Sequence, residues 1–210
     1  MSTIATPASI LRPTLADRFV PRRGVLTDVL LIAAGVAVTA GLAKVEVPMW
    51  PVPITGQTLA VVLVGAALGT RRATIALTAY LALGLAGVPV FADAIAGPAY
   101  VLQPSFGFII GFAPAAALIG WLAEHRWDRK PVLSLAAFGA ASIIPFLIGV
   151  PYMAIVLGAM GLPNDPETIL SLGVTPFILG GVVKWLGAAA LLPAIWKLVG
   201  VVDSRRDDAD

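Results

Sequence analysis

Residues 47–92 read VPMWPVPITGQTLAVVLVGAALGT (47–70), then Arg71-Arg72, then ATIALTAYLALGLAGVPVFA (73–92), and the fold class follows from them. Two uncharged runs flank one pair of arginines. A membrane-spanning helix needs about 20 mostly apolar residues, so each run supplies one short crossing, with Gly69-Thr-Arg-Arg72 as a tight turn between them. Upstream, Pro48-Met-Trp-Pro-Val-Pro53 cannot continue a helix, because three prolines remove donors and fix φ. Downstream, Gly87-Val-Pro89 stops the second crossing. The same reading extends outward. Residues 94–123 and 131–164 carry no Asp, Glu, Lys or Arg; residues 168–202 carry only Lys184 and Lys197, and residues 24–43 only Asp28. The expectation is an all-α membrane protein, a bundle of six transmembrane helices at about 25–45, 54–69, 72–88, 104–123, 132–159 and 174–199. Helices 2 and 3 are short for a full crossing. The alternating pattern of a membrane β-barrel is missing.

Composition agrees. Of 210 residues, 59% are hydrophobic and 12% charged, against roughly 25% charged in a soluble domain; mean hydropathy is +0.93. A net charge of +2 argues against nucleic-acid binding, and the lack of cysteine excludes disulfides, thiolate metal sites and cysteine nucleophiles. Glu124-His125 is not a zinc motif, since His125 is the single histidine. No Walker A sequence is present, so any ATP that drives transport acts on a partner. The chain is expected to be no enzyme and to need no cofactor or metal of its own.

Positive residues mark the cytoplasmic side of a membrane. Six crossings place both termini and the loops at 69–72 and 124–131 on one side, with twelve of the fourteen basic residues. Both termini are therefore expected in the cytoplasm, in a cytoplasmic (inner) membrane. Residues 1–24 read as an N-terminal tail, bare or carrying a short surface helix, 25–199 as the transmembrane domain and 200–210 as a C-terminal tail. The opposite loops, about 46–54, 89–103 and 160–173, read as ordered lids rich in Pro and Gly, suited to capturing something from outside.

Lys184 is the sharpest functional signal. It sits about ten residues into the last helix, roughly 15 Å deep, with no acid in its own span. A lone cation there costs several kcal/mol unless paired or wetted, so it reads either as a contact to an anionic or carbonyl-bearing ligand or as a snorkelling residue capping a neighbouring helix. Thr55, Gln57 and Thr58 follow the proline run at a helix start, where they can meet a polar ligand group or cap and brace the bundle. Asp93, Tyr100 and Gln103 lie on an outside loop, Asp93 either binding ligand or solvated. Tyr80 and Tyr152 fall within spans, lining a pocket or packing. Trp185 must face away from Lys184. Asp28 reads as an N-cap for helix 1. Ala33, Ala37 and Gly41 make a small-residue face, open to packing within the bundle or to docking a separate membrane subunit.

Val52-Pro-Ile-Thr-Gly-Gln-Thr-Leu-Ala-Val61, Gly65-Ala-Ala-Leu-Gly-Thr-Arg-Arg72, Tyr80-Leu-Ala-Leu-Gly-Leu-Ala-Gly-Val-Pro-Val-Phe91 and Pro176-Phe-Ile-Leu-Gly-Gly-Val-Val-Lys184 together resemble the BioY family. These are the biotin-specific substrate-capture (S) subunits of energy-coupling-factor (ECF) vitamin transporters. The resemblance spans roughly 25–199. It implies a six-helix bundle holding biotin near its outer face, with a transmembrane coupling subunit and two cytoplasmic ATPases as partners. The Ala33, Ala37 and Gly41 stripe is similar to the family's coupling face. The family's sixth-helix motif runs Gly-Asp-x-x-Lys, with Asp and Lys helping to bind biotin; here Lys184 matches, but Gly181 stands in the Asp position. Another acceptor should then serve the ligand, with Gln57, Asp93 and Gln103 as candidates, or water takes that place, or the pocket prefers a different biotin-like ligand. The rival reading is a self-contained ion-coupled transporter, which needs acids along its path and finds only Asp28 within a span.

Overall fold

The structure, a computed structural model, describes residues 14–20, 24–92 and 96–207. Its elements are α1 (Leu15–Phe19), α2 (Val25–Ala43), a two-residue β1 (Glu46–Val47) and β2 (Ile54–Thr55), α3 (Gln57–Leu85), α4 (Phe106–Ile110), α5 (Phe112–Glu124), α6 (Pro131–Ala159), α7 (Pro166–Gly173) and α8 (Thr175–Asp207). Single-turn 3-10 helices at Pro98–Leu102 and Trp127–Arg129 fill two connections.

Gly69 decides the shape of α3. Its φ of 79° and ψ of 175° are non-helical, and a left-handed φ is open to glycine at no steric cost. The chain reverses there. Gln57 Nε2 lies 2.7 Å from the Tyr80 hydroxyl, whereas 23 residues of straight helix would hold them about 35 Å apart. So α3 is two antiparallel arms, 57–68 and 70–85, about 18 and 24 Å long and both shorter than the roughly 30 Å hydrocarbon layer. Five helices among the described residues are long and apolar enough to cross a membrane. With α3 doubled, the six expected helices are present, and the chain is a membrane protein.

The core forms where α3 meets α5. Ala60, Ala73, Ala76 and Ala116 are fully buried. At Gly120 even a Cβ would come within 2.4 Å of the Thr70 backbone; that close approach is the small-residue packing membrane bundles rely on. By contrast α2 buries only Gly35, Thr39 and Ala43, and its Ala33, Ala37 and Gly41 face is exposed.

One end of the bundle gathers the ionic contacts. Arg72 reaches Asp17 of α1 at 2.8 Å and Asp28 of α2 at 2.7 Å. Glu124 accepts from the Thr70 amide and hydroxyl at 2.8 and 3.0 Å, capping the second arm from a different helix. The Trp196 indole donates to buried Asp128, and Arg129 stacks over that indole at 3.8 Å. The turn at Gly69, the loop after α5 and the second half of α8 therefore share an end, as an even number of crossings requires.

Four expectations are corrected. Asp28 does not cap α2, whose N-cap is Gly24 without a side-chain bond; the carboxylate goes to Arg72, a stronger charge-assisted partner. The stretch at 160–173 is not all loop, because Asp165 caps a helix by accepting from the Thr168 amide at 3.0 Å, with Pro166 behind it. The N-terminal segment does carry a short helix, with Thr14 and Asp17 as a capping box, but it is not confined to the surface, because Leu15 and Ala16 are buried in the core. Helix α8 runs on to Asp207, past the expected end at 199.

Candidate ligand-binding site

At the end opposite the ion pairs, the chain leaves α2, pairs Glu46 with Thr55 and Val47 with Ile54 in a minimal hairpin, and enters α3. That hairpin holds the proline-rich turn in place, so Val52, Pro53 and Thr55 form one wall of a cavity. Gln57 and Thr58, on the first turn of α3, form its base. The α3–α4 connection adds Ala92, Tyr100 and Ser105; α4 and α5 add Phe108, Ile109 and Phe112; α6 adds Ser142, Pro145 and Phe146; α8 adds Phe177 and Lys184. The space between these walls is about 680 Å³ including the open mouth.

Its chemistry is apolar with a few converging polar groups. Phe108 meets Phe146 edge-on at 5.5 Å and stacks on Phe177 at 6.2 Å. Phe108 can seat there because Gly149 has no Cβ; one built on it would lie 2.3 Å from the ring. The Tyr100 hydroxyl lies 3.1 Å from Ser105 Oγ. Ser142 Oγ donates back to the Phe138 carbonyl at 2.6 Å, leaving its lone pairs to accept.

Among the described residues, Lys184 is the one cation lining the cavity. Its Nζ donates to the Thr55 carbonyl at 2.7 Å and to Thr58 Oγ1 at 3.0 Å. Both partners are neutral oxygens, and among the described residues no carboxylate pairs with it. An ammonium has three protons, and these two bonds use two of them. The neighbouring Trp185 turns away, its indole donating to the Leu135 carbonyl at 2.6 Å.

Of the sequence candidates, the fold brings Lys184, Thr55, Gln57 and Tyr100 together around the cavity. It does not bring Gln103 or Tyr152 there. Gln103 is engaged through its backbone in the turn after Tyr100, and the Tyr152 hydroxyl donates to the Val101 carbonyl while its ring packs on Phe106. Asp93 lies outside the described residues. Gly181 is exposed, and a Cβ there would meet no atom within 4 Å. Sequence reasoning missed the aromatic wall and the two serines. The Phe-Gly-Phe run at 106–108 and the prolines within α6 were the available signals, and neither says which way a side chain faces.

A sequence model described as "BioY family" matches residues 12–201. The chain is 30% identical over 172 residues to the "Probable biotin transporter BioY" of Lysinibacillus sphaericus, covering 81% of this chain and 87% of that protein. It is 31% identical over 170 residues to the "Biotin transporter BioY" of Thermotoga maritima, covering 80% and 96%. Among solved structures, it is similar to the crystal structure of the S-component for biotin from an ECF-type ABC transporter, with a TM-score of 0.61, 23% identity and coverage of 84% and 95%. That last likeness is one of fold.

Proposed function

The chain belongs to the BioY family, and from that footing we propose that it captures biotin as the substrate-binding subunit of an ECF-type transporter. The observation that carries this reading is the cavity itself: an aromatic slot that Gln57, Thr58 and a lysine without a carboxylate partner among the described residues also line. Biotin is a fused bicycle with a thioether, an aliphatic chain, a ureido group and a carboxylate. The phenylalanines suit the sulfur ring and the chain. The hydroxyls and Gln57 suit the ureido donors and acceptor, and Lys184 suits a ring carbonyl or the carboxylate. Gln57 replaces the acceptor lost at Gly181.

The membrane-embedded part, 25–199, holds the ligand. The end bearing Arg72, Glu124 and Asp128 faces the cytoplasm, with both termini, and the cavity opens to the outside of a cytoplasmic membrane. Twelve of fourteen basic residues support that orientation. The exposed Ala33, Ala37 and Gly41 face of α2 docks a transmembrane coupling subunit, and two cytoplasmic ATPases supply the energy, since this sequence has no nucleotide motif. An ion-coupled carrier is disfavoured because Asp28, its one acid within a span, is paired to Arg72.

The test is equilibrium binding of labelled biotin to the purified protein alone, with thiamine and riboflavin as competitors. Saturable binding displaced by biotin and by neither competitor is the expected result. Well-folded protein that binds no biotin refutes the reading.

A further inference from the structure

Tyr80 does not line the cavity, yet its hydroxyl connects Gln57, which does, to residues of the α3–α4 connection that line its other side. We propose that Tyr80 is a positioning residue for ligand retention: through Gln57 and Thr55 it ties the Lys184 end of the cavity to the α3–α4 connection. The proposal rests on the biotin-capture reading above.

The chain of contacts is continuous. Lys184 Nζ donates to the Thr55 carbonyl at 2.7 Å. Thr55 Oγ1 donates to Gln57 Oε1 at 2.8 Å. Gln57 Nε2 donates to Tyr80 Oη at 2.7 Å, and Tyr80 Oη donates to the Val90 carbonyl at 2.9 Å. Every bond lies in the good range for its type. The two middle members are buried, Gln57 4% exposed and Tyr80 fully buried, so water does not compete for these bonds.

Donor accounting shows what the hydroxyl does. Where the Tyr80 proton goes to the Val90 carbonyl, its oxygen accepts from Gln57, whose NH2 faces the tyrosine and whose oxygen faces Thr55. Tyr80 thereby selects one of the two flips of the Gln57 amide. Gln57 lines the cavity, so the flip determines whether a ligand meets a donor or an acceptor there. The other end of the chain holds the α3–α4 connection. Val90 precedes Phe91, whose ring is fully buried, edge-on to Tyr80 at 5.5 Å and against Tyr100 at 4.2 Å. Ala92 and Tyr100, on that segment, line the cavity. A ligand that draws on Lys184 and Gln57 therefore acts on the same bonded chain that fixes that segment.

Tyr80→Phe removes the hydroxyl and keeps the ring. Losing one buried partner from such a network is expected to weaken biotin binding about tenfold, chiefly as faster dissociation. Deuterium uptake of the biotin-loaded protein should rise in peptides covering 86–92 and 96–105. Thr55→Val keeps the carbonyl for Lys184 and removes the next link. It should raise uptake at 86–92 as well, although Thr55 makes no direct bond to that segment, and the double variant should lose no more than the worse single. A purely structural tyrosine lowers the unfolding temperature but leaves biotin dissociation and the ligand-dependent uptake unchanged, which overturns the proposal. Additive losses in the double variant also overturn it. Wild-type protein is measured first. If it binds biotin while Tyr80→Phe matches it, the link fails and the function stands. If wild type binds no biotin, the function fails, and the link is judged by whether Thr55→Val and Tyr80→Phe both loosen 86–92. Should Tyr80→Phe fail to fold, Thr55→Val alone decides, by dissociation and by uptake at 86–92.

Discussion

Arg72 and Lys184 are both cations carried by apolar helices, at opposite ends of the bundle, and they are treated in opposite ways. Arg72 has two carboxylates, Asp17 and Asp28, at 2.8 and 2.7 Å. Lys184 has a backbone carbonyl and a hydroxyl. The guanidinium fork lets Arg72 join α1, α2 and the second arm of α3 through separate nitrogens, so its charge is met by two carboxylates. The Lys184 side chain is held in place by neutral dipoles. One cation completes the fold, while the other lines the cavity with no carboxylate beside it among the described residues.

The sharpest way to break that contrast is to remove the lysine. Lys184→Met should weaken biotin binding by ten- to about a hundredfold, as expected for losing a charge-assisted hydrogen bond of about 1.5–3 kcal/mol, with normal membrane insertion. Binding of labelled biotin to the purified variant checks it, and unchanged affinity removes Lys184 from the site. Arg72→Met should do the reverse. It strands two carboxylates at a partly exposed site, a loss of about 1–3 kcal/mol visible as a lower unfolding temperature. The biotin dissociation constant should stay within about twofold, since no contact links Arg72 to the cavity. A large loss of affinity in folded Arg72→Met protein would show that the two ends act as one unit.

The same contrast explains what could be read from the sequence. Charge is excluded from hydrocarbon, so uncharged runs and their punctuation locate the helices, and a glycine between two such runs locates the reversal at Gly69. Lys184 stands out because it breaks a run. The partners of these charges were not legible. Asp28 pairs with a residue 44 positions away, and only the hairpin at Gly69 brings them together. The cavity walls were hidden for a different reason. Helices that are apolar all round carry no periodicity that distinguishes a lipid face from a pocket face, so Phe108, Phe146, Phe177 and Ser142 look like any other membrane residues. Tyr152 looked as eligible as Tyr100, and only the fold separates them. Helix α7 was legible and overlooked: Asp165-Pro166 is a cap followed by a favoured first helical residue.

Glu124 sharpens the structural side of the comparison at smaller scale. Its carboxylate accepts from the amide and hydroxyl of Thr70, the first residue after the reversal, where a helix N-terminus has unsatisfied donors. Glu124→Ala should cost about 1 kcal/mol, the usual worth of an N-cap. It should speed amide exchange in the first turn of the 70–85 arm while biotin binding holds.

The smallest expected effect concerns α1, which Arg72 holds through Asp17. Burial raises the Asp17 carboxyl, but hydrogen bonds from Arg72 and Thr14 outweigh it and hold the group below its ordinary value of 3.8. A depressed folded value means that the unfolded state binds the proton first. The stabilisation is therefore complete above the ordinary carboxylate value and is lost as pH falls through the lower folded one. Docking of α1 should be flat from neutral pH down to about 4 and should weaken only below it. Tryptic cleavage at Arg18 is a neutral-pH readout, so the acid limb is better followed by exchange of the Asp17 and Arg18 amides under acidic quench. Asp17→Asn removes the charge at every pH. It should abolish the pH dependence of that exchange and leave biotin binding unaltered, because the carboxylate serves the closed end of the bundle and has no contact with the open one.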